Sequence, residues 1–183
     1  MNGSDDDLAI SARAGSGDAM AELYRRYAGR LLAYAFRLIG DRDAAEDVVQ
    51  DVFAHFFRRL QQYRPEGRLA PYLFRIAHSL ATDQAVDRRR RQAPLPPTST
   101  SRPEEELPER ARLDRAVEGL PPNLKDIVVL RLHQNLDYAA IAAATGLSEA
   151  TARSRMRYAL EALRVAMGAP KGGSTARETE EKG

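Results

Sequence analysis

The sequence predicts an all-α protein made of two small helical domains joined by a flexible linker. Three observations carry this prediction. Apolar residues recur at helical spacing through two long blocks, and strand-like alternation is scarce. Helix-starting Ser and Asp and helix-ending Gly punctuate those blocks. Between them runs a stretch rich in Pro, Ser, Thr and Glu, with too little apolar area to offset the entropy of ordering. At 183 residues the chain is long enough for one domain or two small ones.

The first domain spans residues 5–91. Asp18 can start a helix in which Leu23, Tyr27, Leu31, Tyr34, Ala35 and Leu38 follow at helical spacing, and Gly40 ends it. Asp41 or Asp43 opens the next helix, where Val48, Val49, Val52, Phe53, Phe56, Phe57 and Leu60 make a broad apolar stripe. Arg64-Pro65-Glu66-Gly67-Arg68 is a loop by its Pro and Gly. A further helix turns Leu69, Tyr72, Leu73, Ile76, Ala77 and Leu80 inward and runs out through Arg88 to Arg91. Residues 92–109 form the linker, 110–167 the second domain, and 168–183 a Gly-, Lys- and Glu-rich tail expected to be disordered. In the second domain Leu113, Val117 and Leu120 mark a short helix. Pro121-Pro122 break it, and Ile127, Val128, Leu130, Arg131 and Leu132 form the next.

The most informative stretch is 136–164. It reads as a helix capped by Asp137, a tight turn at Gly146 and a second helix capped by Ser148. Ile141, Ala142 and Leu147 supply the seam, and the small Ala142 and Ala143 let the axes approach. The second helix carries Arg153, Arg155 and Arg157, with Thr151 and Ser154 among them. Guanidiniums and hydroxyls so spaced suit a helix lying in the major groove of DNA. The same residues also describe a surface helical hairpin with a solvated basic face.

Composition excludes several classes. The net charge of +2 rules out a uniformly basic nucleic-acid coat, so the distribution of charge matters more: acid at Asp5–Asp7 and Glu104–Glu106, base at Arg88–Arg91 and along the arginine helix. The absence of cysteine excludes disulfides and thiolate metal sites. No apolar run approaches the ~20 residues that cross a bilayer, and the acidic N-terminus lacks a signal-peptide core. A cytoplasmic protein with no membrane insertion is expected. His55, His78 and His133 are scattered outside metal-ligand spacings, and no nucleophile elbow is present. Gly168–Ser174 lacks the Gly-Lys-Ser/Thr ending of a phosphate loop. No catalytic residue, metal, cofactor or small-molecule substrate is therefore expected.

Two sets of motifs resemble a family. The hairpin resembles region 4 of bacterial sigma factors. Leu-Tyr-Arg-Arg-Tyr (23–27), Asp-Ala-Ala-Glu-Asp-Val-Val-Gln-Asp-Val-Phe (43–53) and Tyr-Leu-Phe-Arg-Ile-Ala-His-Ser-Leu-Ala-Thr-Asp (72–83) resemble region 2. Order, spacing and the intervening linker are similar to the extracytoplasmic-function group, over roughly residues 8–167.

The resemblance implies a factor that binds core RNA polymerase and directs it to promoter DNA, held in check by an anti-sigma factor. Asp47, Gln50 and Asp51 share one helix face by their i, i+3, i+4 spacing; the resemblance makes it the face that docks on polymerase. Tyr63, Arg64, Arg68, Arg75, His78, Ser79 and Asp83 fall where the family reads the minus-ten element. Thr151, Arg153, Ser154, Arg157 and Tyr158 fall where it reads the minus-thirty-five element. Tyr72 stands where the family usually has Trp and is read as core; Ser79 stands where Asn is frequent, and Ala152 where Val is usual, facing the core. The linker acids at 104–106 are read either as a mimic of nascent RNA charge or as a plain acidic spacer. The rival readings are a stand-alone helix-turn-helix regulator and a sigma-like interaction module that supports no transcription.

Overall fold

The computed structural model describes residues 3–91 and 108–168. The helices run α1 (Asp5–Arg13), α2 (Gly17–Ile39), α3 (Arg42–Arg58), a single 3₁₀ turn (Leu60–Gln62), α4 (Leu69–Arg91), α5 (Glu109–Glu118), α6 (Pro122–Val128) with a π-type turn (Val129–His133), α7 (Tyr138–Thr145) and α8 (Glu149–Ala166). No strand occurs among the described residues. The linker acids 104–106 and the tail beyond residue 168 lie outside the described residues, as do the side chains of Arg89 and Arg91.

Local chemistry fixes the helix ends. Apolar spacing does not announce α1; a reciprocal cap makes it. The Asp7 N–H donates to Ser4 Oγ at 3.2 Å, and the Ser4 N–H donates to Asp7 Oδ2 at 3.0 Å. Ser16, not Asp18, caps α2, accepting from the Ala19 N–H at 3.2 Å. Asp18 instead lies in the first turn, where its charge favours the helix dipole. Gly40 closes α2. Gly146 closes α7 at φ 73°, a left-handed conformation that a side chain would strain. Asp137 and Ser148 cap α7 and α8 through the N–H groups of Ala140 (2.7 Å) and Thr151 (3.1 Å).

Asp41 caps α3 from the Ala44 N–H at 3.0 Å, and Arg88 Nη1 reaches its other oxygen at 2.6 Å, tying the end of α4 to the start of α3. The cap and then Arg88 hold the Asp41 carboxyl below the usual carboxylate range. A depressed acid stabilises the fold fully above its unfolded pKa of about 3.9 and loses that contribution as pH falls through the folded value. Thermal melts across pH 2 to 6 should therefore show Asp41→Ala less stable than wild type at pH 6, with the gap closing below about pH 4. A gap independent of pH would contradict this assignment.

α1–α4 enclose one core. Leu23, Leu31, Val48, Val52, Phe56 and Leu73 have no exposure, and Phe56, Tyr63 and Tyr72 stack edge-on or tilted at centroid distances of 5.5–6.1 Å. In the second bundle Ile127–Leu130 are wholly buried, and Ile141, Ala144, Ala152 and Met156 make the α7–α8 seam. Ala143 is exposed. Ala144, three residues after Ile141, takes the close-approach role because it lies on the same face of α7.

The bundles also pack on each other. α4 lies against α7, and α2 meets the π-type turn. Phe74, outside the expected inward set, is fully buried on α4 and meets Tyr34 of α2 edge-on at 5.5 Å.

Candidate nucleic-acid and protein interfaces

Asp47, Gln50 and Asp51 are all exposed on α3, opposite the buried Val48, Val49 and Val52. None of the three is tied to a neighbouring side chain among the described residues, whereas the nearby Glu46 pairs with Arg42 at 2.9 Å. The face is acidic and presented outward by a helix whose other side is locked in the core. Such a face suits arginines or lysines on a partner.

The loop after α3 walls a cleft of about 400 Å³ lined by Arg59, Gln62, Tyr63, Arg64, Glu66, Arg68 and Tyr72. That volume falls in the range of small-ligand pockets. Arg64 and Arg68 are exposed at its mouth. Tyr72, read from sequence as core, is only half-buried and forms a wall; its ring meets both Phe56 and Tyr63.

Tyr63 itself is buried, and its hydroxyl donates to Asp6 at 3.4 Å. Burial first, then the Asp6 charge, pushes its phenol pKa up, so it remains a neutral donor. Tyr63 therefore serves as floor to the cleft more than as a free reader. α1 braces the loop. Asp6 accepts the Gly67 N–H at 2.6 Å, with Gly67 at φ 69°; Arg13 Nη1 donates to the Tyr63 carbonyl at 3.3 Å, and Gln61 donates to the Arg13 carbonyl at 3.2 Å. Sequence reasoning missed Asp6. The signal was the acid run opening α1, which spacing alone cannot connect to a loop some sixty residues away.

On α4, Arg75, Ser79 and Asp83 are exposed at i, i+4, i+8, continuing one face. His78 stands apart from them: its Nδ1 is 3.2 Å from Asp126 Oδ2 and 3.1 Å from the Tyr34 hydroxyl, against the second bundle. Arg88 is held by Asp41, so of the four terminal arginines it serves as a structural tie.

Along α8, Arg153, Arg157 and Tyr158 are exposed, and Thr151 and Ser154 half-buried. Arg153 stacks over Tyr138 at 4.5 Å and pairs with Glu149 at 3.2 Å, so its head is held at one place. Arg157 lies over the Tyr158 ring at 5.3 Å, and Thr151 is spent partly on the Ser148 cap. Arg153, Arg157 and Arg164 line an open cleft of about 420 Å³ with Tyr138, Met156, Leu160 and Glu161. Arg155 turns the other way, into a cleft shared with His78 and Asp126. Ala152 is wholly buried. Among the described residues no group of three or more His, Cys, Asp or Glu is placed to hold a metal, and no helix is long and apolar enough to cross a membrane.

A bundle with an acidic outward face, joined to a helix-turn-helix that exposes arginines, defines a DNA-binding transcription protein as a class. Comparison with known proteins is more specific. Sigma-70 region 2 matches residues 23–91, and Sigma-70 region 4 matches residues 106–163. The chain is 30% identical to RNA polymerase sigma factor CarQ of Myxococcus xanthus over 162 residues, 85% of this chain and 93% of CarQ. It is 35% identical to ECF RNA polymerase sigma factor SigE of Mycolicibacterium smegmatis over 153 residues, covering 78% of this chain but only 59% of SigE.

The fold is shared with CnrH, solved with the cytosolic domain of CnrY (TM-score 0.71, 23% identity, 91% of this chain and 98% of that one). It is shared also with the sigma factor RpoE of Bartonella quintana, solved with the anti-sigma factor NepR (TM-score 0.65, 19% identity, 82% and 98%). The chain belongs to the extracytoplasmic-function (ECF) sigma factors, the family that directs promoter-specific transcription initiation.

Proposed function

We propose that the first bundle (residues 5–91) docks core RNA polymerase through Asp47, Gln50 and Asp51 and reads the minus-ten element, while the second (110–167) reads the minus-thirty-five element. The chain works in the cytoplasm and catalyses nothing itself. The observation that carries this reading is one chain presenting two exposed charged surfaces at once: an acidic face on α3 and an arginine face on α8. A stand-alone helix-turn-helix regulator has no use for residues 23–91, which match region 2. Reading two elements with tethered bundles lets each contact be weak, because the second binds at raised effective concentration.

In this reading the cleft beside Arg64 and Arg68 receives a base from the opened strand, with Tyr72 as stacking wall and the two guanidiniums on the flanking phosphates. Arg75, Ser79 and Asp83 continue the track along α4. Arg153, Ser154 and Arg157 face base edges or phosphates of the upstream element, with Thr151 and Tyr158 beside them. An anti-sigma partner is proposed on the precedent of RpoE, solved with NepR bound. Gel filtration with core polymerase followed by run-off transcription tests the whole. Co-elution and a discrete start site are expected; a chain that elutes apart from polymerase overturns it.

The α1 brace gives a finer test. Asp6→Ala should weaken binding of a single-stranded minus-ten oligonucleotide by about tenfold, roughly the value of a charge-assisted hydrogen bond. Asp6→Asn, which still accepts the Gly67 N–H, should retain most of it. Binding of minus-thirty-five duplex by both variants should match wild type. Equal oligonucleotide binding by wild type and Asp6→Ala would remove the brace from the recognition machinery.

A further inference from the structure

Tyr138, the first residue of α7, has two guanidiniums against its ring: Arg153 of α8 at 4.5 Å from the centroid and Arg131 of the π-type turn at 5.2 Å. The short loop before α7 makes this arrangement. The Leu136 N–H donates to the Leu130 carbonyl at 3.1 Å, and the Leu136 carbonyl accepts from Arg131 Nη1 at 2.8 Å, so the chain doubles back and sets Arg131 beside Tyr138. Leu136 is buried, and Asp137 caps α7 through the Ala140 N–H at 2.7 Å, which fixes where the ring starts. The ring itself is half-buried against the core. Wide helical turns of the π type recur at functional sites. Arg153 has little else to hold it. Its ion pair with Glu149 lies in the open, the side chains 60% and 50% exposed, and such pairs contribute little. Arg157, by contrast, leans on Tyr158, its own neighbour on α8. Arg153 is thus seated on a ring that a different helix supplies.

We infer that Tyr138 is a positioning residue that determines specificity: its ring, buttressed by Arg131, presents the Arg153 guanidinium in one place and so sets how sharply one base of the upstream element is discriminated. The role rests on the reading of α8 given above. A bidentate base contact needs the planar fork aligned with the base edge. An arginine free to rotate reaches a phosphate or a wrong base almost as readily, which raises affinity for every sequence alike. An arginine held on a ring loses those alternatives, so a mismatched base leaves it unpaired and costs more. Cation–π contact at a partly exposed ring is strong enough to matter here and exceeds what the Glu149 pair supplies alone. Selectivity of the helix in the groove is therefore set partly by a residue on the helix before it.

Full-length variants assembled with core polymerase test this. Transcription is measured from the promoter found by the run-off assay and from versions whose upstream element is changed one base at a time. Tyr138→Leu keeps apolar bulk and removes the π face; it should lower the ratio of cognate to mismatched transcription by about fivefold at one base position. Tyr138→Phe keeps the face and should stay within about twofold of wild type. In an Arg153→Ala background Tyr138→Leu should change that ratio no further, because the ring acts through the guanidinium. The ratio cancels any common loss of folded or assembled protein, so a merely structural Tyr138 would leave it unmoved. Wild-type discrimination by Tyr138→Leu, an equal loss in Tyr138→Phe, or the same loss with and without Arg153 would each overturn the role of Tyr138 while leaving the base reading intact. Wild-type discrimination by Arg153→Ala alone would overturn the base reading, and the role of Tyr138 with it.

Discussion

Asp47→Arg is expected to abolish assembly with core polymerase while leaving the protein folded. Asp47 lies on the outward side of α3 with Gln50 and Asp51, and no intramolecular partner is lost when it changes. The core beneath depends on Val48, Val52 and Phe56, which the substitution does not touch. Circular dichroism and melting temperature should therefore match wild type. At the interface, reversing a charge that faces a basic partner surface exchanges attraction for repulsion, a cost of several kcal/mol. An affinity loss of at least ~100-fold follows. Titration of labelled core polymerase with wild type, Asp47→Arg and the exposed control Glu46→Arg separates docking from loss of bulk acidity. Asp47→Arg binding within threefold of wild type would show that α3 presents a merely solvated face.

How much of this architecture the sequence disclosed depends on how local its cause was. Helices with an apolar stripe and a capping residue were legible because both signals lie within one or two turns. Asp41, Asp137, Ser148, Gly40 and Gly146 all sit where chain-local chemistry puts them. The misses have non-local causes. α1 depends on a cap between Ser4 and Asp7 and on its fit against α2, and its apolar residues are too few to announce a helix. Phe74 fell outside the apolar stripe expected of α4, yet it is fully buried against Tyr34 of α2, a residue forty positions earlier. Asp126 and Gln134 are the two buried polar residues of the described core, and each finds its partner across the bundle contact. No spacing rule foretells such a pairing.

The site residues divide the same way. The exposed acids of α3 and the arginines of α8 followed from helical periodicity. Tyr63 as floor, Tyr72 as wall and His78 as part of the bundle contact needed the tertiary arrangement.

Arg153→Ala is expected to cut transcription from promoters that depend on the upstream element by ~5- to 150-fold, the range for losing one bidentate base contact of about 1–3 kcal/mol. Assembly with polymerase should be unaffected, because α3 is on the other bundle. Arg153 is the arginine of α8 best prepared for this role. Its guanidinium is stacked on Tyr138 and hydrogen-bonded to Glu149 at 3.2 Å, so less side-chain entropy is lost on reaching the groove.

Arg153→Lys separates two mechanisms. A phosphate contact needs only charge, so lysine should restore binding, and Arg153→Ala should flatten the salt dependence by about one ion across all sequences. A base contact needs the planar fork, so lysine should fail, and discrimination at one upstream position should relax. The preset geometry of Arg153 favours the second pattern: Arg153→Lys should bind nearly as poorly as Arg153→Ala to the cognate element and lose little on a scrambled one. Full rescue by lysine with unchanged sequence preference would move base reading from Arg153 to Arg157, the next exposed arginine on the same helix.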